Sequence, residues 1–136
     1  MTVNPSPVLR LPLALGATAA LLAVMAGAFG AHRLRGVLDP RGLEVFQTAV
    51  TYQMYHALAL ILVAVLAGLG CSRRLLSLAA GCFVLGILLF SGSLYLLVLA
   101  KLLVLAPVTP LGGLCLMLGW GLLIAAGLYK GPVNSQ

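Results

Sequence analysis

Charged residues are scarce in this sequence, and acidic ones most of all. Of its 136 residues, two are acidic, Asp39 and Glu44, and eight are basic. Charged residues make up 7% of the chain, hydrophobic residues make up 62%, and the mean hydropathy is +1.18. Soluble domains carry about 25% charged residues. This composition therefore excludes a soluble domain and predicts an integral membrane protein.

The net charge of +6 is not gathered on one face. The basic residues are dispersed between apolar blocks, which argues against nucleic-acid binding. Basic residues at the ends of membrane helices instead meet anionic headgroups and bias the orientation of the chain. We therefore expect membrane lipids as partners and no nucleic acid.

Motifs for metals and cofactors are also missing. The cysteines Cys71, Cys82 and Cys115 are an odd number, which excludes complete disulfide pairing, and no two have the spacing of metal ligands. No phosphate-binding, dinucleotide-binding or zinc motif appears in the sequence. We therefore expect no metal, no cofactor and no enzymatic activity.

Four apolar blocks are long enough to cross a bilayer core of about 30 Å as helices of about 20 residues. These blocks are 11–31, 52–69, 75–100 and 110–129. Their apolar residues run continuously, without the alternation of a barrel strand, so each block predicts a helix. The expected fold is all-α: one transmembrane domain, residues 1–136, folded as a four-helix bundle.

An amphipathic segment precedes the second block. Asp39 and Pro40 form the pattern of a helix N-cap followed by proline at the first helical position. Residues 40–51 then continue into the second block without a helix breaker. Two placements are open from the sequence: the segment lies in the membrane interface, or it continues the second helix past the membrane.

Four motifs with polar residues or glycines interrupt the apolar blocks. They are GAFGAH (27–32), YQMYHAL (52–58), SGSLY (91–95) and TPLGG (109–113). Because short turns make neighbouring helices antiparallel, all four motifs are predicted at the same end of the bundle and at a shared depth. The predicted polar layer consists of His32, Tyr52, Gln53, His56, Ser91, Ser93, Tyr95 and Thr109.

The two histidines have different expected surroundings, since an unpaired histidine in a membrane is costly. His32 is expected at the headgroup boundary. His56 is expected inside the bundle, with a hydrogen bond to Tyr52, to Ser91 or Ser93, or to a carbonyl near Gly30.

Glycines in the same motifs predict close contacts between helices. Gly27 and Gly30 lie in the first helix, where small residues recur every four positions, and Gly112 and Gly113 open the fourth helix. Small residues of this kind have two interpretations: they allow close packing within one bundle, or they form a contact between two copies of the chain. Packing within the bundle is the favoured interpretation.

The four motifs, in this order, resemble those of a family of small four-helix membrane proteins, the YgdD and transmembrane protein 256 family (domain of unknown function 423). The resemblance covers residues from about Gly27 to Tyr129. It implies four membrane helices, a bacterial inner-membrane location and no established catalytic residues.

Basic residues give little information about orientation, because equal numbers are predicted on the two sides of the membrane. One side has Arg10, Arg73, Arg74 and Lys130, and the other has Arg33, Arg35, Arg41 and Lys101. The second side also holds both acidic residues, so its basic residues are partly balanced. The first side, which includes both termini, has no acidic residues, and we therefore place it in the cytoplasm.

Three functions compete. The leading one is a non-enzymatic accessory or assembly protein, working with a membrane-protein partner or as a homo-oligomer. The second is a small-molecule or lipid carrier with a site at the non-cytoplasmic helix ends, lined by His32, Gln53, His56, Ser91 and Thr109. The third is a haem protein with His32 and His56 as axial ligands.

Overall fold

The computed structural model describes residues 7–129 and consists of four long helices. Helix α1 spans Pro7–Phe29 and is extended by one π-helical turn, Gly30–Leu34. Helix α2 spans Pro40–Gly68. All four helices are long and apolar enough to cross a membrane, which confirms the all-α membrane fold.

The third and fourth helices complete the fold. Helix α3, Arg73–Leu99, consists of an α-helix Arg73–Gly86, a π-helical turn Ile87–Ser91 and a second α-helix Gly92–Leu99. After a short 3₁₀ turn, Leu103–Leu105, helix α4 spans Val108–Leu128. We call the end where α2 and α4 begin the Asp39 end, and the opposite end the Cys71 end.

Helix α2 starts well before the predicted membrane block. The Asp39 carboxylate accepts a hydrogen bond of 2.7 Å from the Gly42 backbone N–H, and Pro40 occupies the first turn, as the sequence indicates. The amphipathic segment 40–51 is therefore continuous with the second helix. His56 consequently lies 16 residues, about 24 Å at 1.5 Å per residue, from the start of α2.

The amphipathic segment has distinct buried and exposed faces. Phe46 and Ala49 are buried against the other helices, whereas Arg41 and Glu44 form an exposed ion pair of 2.9 Å. An exposed pair of this kind adds little to stability, so the buried face fixes the segment in place.

Helix α2 is the central element of the bundle. Helix α1 packs along one side of α2, while α3 packs on α2 and pairs with α4. The largest buried cluster joins α2, α3 and α4 and includes Leu60, Val63, Leu76, Phe83 and Leu116. Because α1 barely contacts α3, these two helices remain apart on the face of α2 that they share.

The small-residue face of α1 is used within the chain. A Cβ added to Gly16 would lie 2.7 Å from the Ala57 carbonyl oxygen, and one added to Gly30 would lie 2.8 Å from the Phe46 ring. A Cβ at Gly27 would lie 3.4 Å from Val50. Helix α2 therefore covers this face.

The two glycines that open α4 differ in their surroundings. A Cβ on Gly112 would lie 2.7 Å from the Leu89 carbonyl carbon and 2.7 Å from the Phe90 Cα. A Cβ on Gly113 would make ordinary contact, 3.7 Å from the Phe90 ring. The expectation of a close approach is thus corrected for Gly113, because consecutive helical residues point about 100° apart and Gly112 alone of the two faces α3.

Candidate functional site

Gln53 is the centre of a buried hydrogen-bond network that joins three helices. Its Nε2 donates to the Ala19 carbonyl oxygen of α1 at 2.9 Å, and its Oε1 accepts from the Tyr95 hydroxyl of α3 at 2.8 Å. The Gln53 side chain is 7% exposed. Since interhelical hydrogen bonds of this kind hold membrane helices together, Gln53 ties both α1 and α3 to α2.

Two serines of α3 extend this network toward the Asp39 end. Ser91, the last residue of the π-helical turn, donates to the Ala49 carbonyl oxygen of α2 at 2.8 Å. Ser93 donates to the Phe90 carbonyl oxygen at 2.9 Å, and Thr109 at the start of α4 donates to the Ser93 hydroxyl at 2.7 Å. Each hydroxyl therefore has a partner inside the bundle.

His56 is buried and bonded at both ring nitrogens. Its Nε2 accepts from the Trp120 indole N–H at 3.1 Å, and its Nδ1 lies 2.7 Å from the Tyr52 carbonyl oxygen. Because an indole nitrogen can only donate, the proton of the neutral imidazole is on Nδ1 and is donated to Tyr52. His56 thus faces the bundle as expected, but its partner across the helices is Trp120 rather than Ser91, Ser93 or a carbonyl near Gly30.

Tyr52 takes part through its ring and its backbone. The ring packs 5.9 Å from the His56 ring and 4.6 Å from the Phe90 ring, measured between centroids. The residue is 40% exposed. Tyr52 therefore covers one side of the His56 ring and is itself partly exposed at the surface of the bundle.

His32 does not join the other polar residues, which corrects its place in the predicted layer. It is exposed in the π-helical turn that ends α1. Gly16 packs against Ala57 and Gly30 against Phe46, so His32 lies beyond the level of Phe46, at least about 15 Å along α2 from His56. This separation does not allow the two imidazoles to ligate one haem iron.

The remaining polar groups lie closer together along the bundle. Ser91 bonds to Ala49, and the Tyr95 hydroxyl, two residues beyond Ser93, bonds to Gln53. His56 lies three residues after Gln53 on α2. The hydrogen bonds that these groups make on α2 therefore span residues 49–56, about 10 Å of helix.

An open groove lies between α1 and α3, with α2 as its floor; we call it the α1–α3 groove. Its central part has a volume of about 300 Å³. It is lined by Leu15, Thr18, Ala19, Leu22, Gln53, Leu60, Val84, Ile87, Leu88, Gly92 and Tyr95. Apart from Thr18, Gln53 and Tyr95, its walls are apolar.

The groove continues in both directions. Toward the Cys71 end, a cavity of about 480 Å³ shares Leu15, Val84 and Leu88 with the central part. Toward the Asp39 end, a cavity of about 380 Å³ shares Tyr95. The α1–α3 groove therefore extends along much of the length of the two helices.

Two polar groups in the central groove have unused hydrogen-bonding capacity. Gln53 has two amide N–H groups, and among the residues that the structure describes only Ala19 accepts from them. The Thr18 hydroxyl forms no hydrogen bond within residues 7–129, whereas Thr48 bonds back to the Glu44 carbonyl oxygen at 3.0 Å. Sequence reasoning did not single out Thr18, because a lone threonine in an apolar helix usually bonds its own backbone.

The arrangement contains no obvious metal site within the described part of the chain. Residues 7–129 hold no group of three or more His, Cys, Asp or Glu side chains that could bind a metal ion. The three cysteines are free and half-buried.

The fold and the network define a class: a four-helix integral membrane protein whose buried polar side chains bond to helix carbonyls and to one another. Residues 26–113 match the family described as "Protein of unknown function (DUF423)". This match covers more than half of the chain, and the chain belongs to that family. The resemblance found in the four motifs is confirmed.

Curated relatives agree with this assignment. The chain is 44% identical over 118 residues to a UPF0382 membrane protein of Staphylococcus aureus (strain bovine RF122 / ET3-1), covering 87% of this chain and 95% of the relative. It is 44% identical over 114 residues to the UPF0382 membrane protein YwdK of Bacillus subtilis (strain 168), covering 84% and 93%. No solved structure shows a significant match to the present chain.

Proposed function

We propose that this chain is a non-enzymatic accessory protein of the bacterial inner membrane, and that its α1–α3 groove holds the hydrocarbon chain of a membrane lipid. The observation that carries the proposal is the groove itself. It opens toward the lipid, runs along both helices and has almost entirely apolar walls.

The shape and lining of the groove suit a hydrocarbon chain. On α1 its central part extends from Leu15 to Leu22, about 10 Å of helix length. The walls along this length are apolar apart from Thr18, Gln53 and Tyr95, as a site for a hydrocarbon chain requires.

The bonded state of the polar network supports a role without catalysis. The imidazole of His56 and the hydroxyls of Ser91 and Ser93 are bonded within the bundle. A general acid or base must come within hydrogen-bond reach of its substrate, whereas these three side chains are buried between helices. These groups instead fix how the helices pack.

Location and orientation are part of the same proposal. Helical spans fit an inner membrane, since bacterial outer-membrane proteins are barrels. We place both termini in the cytoplasm because Arg73 and Arg74 at the Cys71 end have no acidic neighbours, whereas Asp39 and Glu44 lie at the other end. Reporter fusions at the C-terminus test this: activity of a cytoplasm-dependent reporter is expected, and activity of an export-dependent reporter would contradict it.

The groove is tested by filling it. Gly92 lines its centre, and a Cβ added there meets nothing within 4 Å, so Gly92→Leu adds a side chain at the groove from a position with an open Cβ. Gly121 on α4 is equally open but lies away from the groove, which makes Gly121→Leu the matched control. Native mass spectrometry after detergent exchange is the measurement.

We expect the unmodified chain and Gly121→Leu to retain a bound lipid, and Gly92→Leu to lose it. Equal lipid retention by all three proteins, or no retained lipid in any, would contradict a lipid site in the groove.

A further inference from the structure

We infer that the lipid in the α1–α3 groove is an isoprenoid quinone, a neutral lipid whose ring carbonyl accepts hydrogen bonds from Gln53 and Thr18 in the middle of the membrane. This inference rests on the proposed lipid site and names its ligand class. No redox step is part of it.

The first support is an unsatisfied donor in a buried side chain. Gln53 is 7% exposed, lines the central groove and uses one of its two amide N–H groups on the Ala19 carbonyl. A buried donor without an acceptor costs about 1–3 kcal/mol. A hydrogen-bond acceptor on the ligand would remove that cost.

The second support is the neighbouring hydroxyl of Thr18. It lines the same part of the groove and, within the described residues, does not form the usual bond to its own helix backbone. Two donors in the same part of an otherwise apolar cavity fit one uncharged oxygen acceptor on a hydrocarbon ligand. The Tyr95 hydroxyl donates to the Gln53 Oε1 and so fixes the orientation of the Gln53 amide that would donate to the ligand.

The third support is depth. Gln53 bonds to Ala19 of α1, which lies about 14 Å from Arg10 and about 21 Å from Arg33 along that helix, well inside the apolar span Arg10–Leu34. The charged headgroups and ester groups of phospholipids stay at the interface, so their chains would present hydrocarbon alone at this level. A neutral quinone ring can enter the hydrocarbon core and bring a carbonyl to Gln53.

The test uses menaquinone with four isoprene units as the probe and squalene, an isoprenoid hydrocarbon without oxygen, as the comparison ligand. Purified protein is titrated with each, and native mass spectrometry gives the apparent Kd. Thr18→Val removes one donor at nearly constant volume, and because Thr18 is exposed and unbonded the variant should fold normally. Thr48→Val, which removes a hydroxyl bonded to its own helix, is the matched control.

A second pair of variants tests the tyrosine. Tyr95→Phe removes the hydroxyl bonded to Gln53, and Tyr55→Phe removes an exposed hydroxyl elsewhere on the bundle.

We expect menaquinone to bind more tightly than squalene, and Thr18→Val to raise the menaquinone Kd about two- to tenfold, as loss of one hydrogen bond predicts. Tyr95→Phe should raise it as well, with Thr48→Val and Tyr55→Phe unchanged. Equal binding of both ligands, or no effect of Thr18→Val, would overturn the inference. Retention of phospholipid without menaquinone binding would also overturn it while leaving the lipid site intact, and absence of any bound lipid would remove both proposals.

Discussion

Single residues in the bundle differ mainly in whether their hydrogen-bonding groups have partners. His56 and Ser91 are fully bonded inside the chain, and Gln53 bonds both of its polar atoms but leaves one N–H unused. His32 is exposed at the end of α1. The two histidines therefore differ in role: His56 joins α2 to α4, and His32 takes no part in that contact.

Replacing His56 tests its packing role. His56→Leu leaves the Trp120 indole N–H without its acceptor, so we expect the free energy of unfolding to fall by about 1–3 kcal/mol. His32→Gln, at an exposed position, should change it by less than about 0.5 kcal/mol. Thermal or denaturant unfolding in detergent measures both. An equal effect of the two substitutions would show that the Trp120 bond contributes nothing.

The sequence predicted which polar residues are buried better than it predicted their partners. The cost of an unpaired imidazole in lipid was enough to place His56 inside the bundle. Its partner Trp120 was missed because α4 is apolar on all sides, so no pattern shows which face turns toward α2. Partners across helices depend on helix rotation, which a uniformly apolar sequence does not fix.

At the scale of elements, the π-helical turn of α3 shapes the contacts around it. Within this turn, Ile87 and Leu88 line the groove, and Ser91 bonds to α2. Gly112 of α4 packs directly on the backbone at Leu89 and Phe90. A π-helical turn changes the angular position of the residues that follow it. One side of this turn therefore lines the groove, and the other side contacts α4.

The α4 contact gives a test with adjacent residues. Gly112→Ala places a methyl group against the α3 backbone, which cannot move as a side-chain tip can, so we expect a loss of about 1–3 kcal/mol in unfolding free energy. Gly113→Ala meets only the Phe90 ring at ordinary distance and should be neutral or slightly stabilising. Unfolding in detergent compares the two. Similar melting temperatures would mean that α4 shifts freely on α3.

Helix starts were predictable where the sequence contains a capping signal. Asp39 and Pro40 mark the start of α2, and the structure has the expected cap. The Asp39 cap also means that Gln53 and His56 lie more than three turns from the start of α2, although they are close to the start of the apolar block.

At the scale of the whole molecule, composition and hydropathy were sufficient for the fold class, since four long apolar blocks in lipid leave few alternatives to a helical bundle. The α1–α3 groove could not be foreseen. It exists because α1 packs on α2 with little contact to α3, and sequence does not give the distance between two helices on a common neighbour. Its open, apolar shape is the feature on which the proposed lipid binding rests.

The central claim, that this groove holds a lipid chain, is tested most directly by a photoreactive diazirine amino acid placed in the protein in native membranes. Position Leu88 lines the groove and is 63% exposed, and Ile124 on α4 is 65% exposed, which makes it a matched control for ordinary lipid contact. After irradiation and purification, mass spectrometry identifies the adducts. We predict that Leu88 yields one predominant lipid adduct and Ile124 a mixture of bulk lipids. A protein adduct at Leu88, or the same mixture at both positions, would contradict the claim.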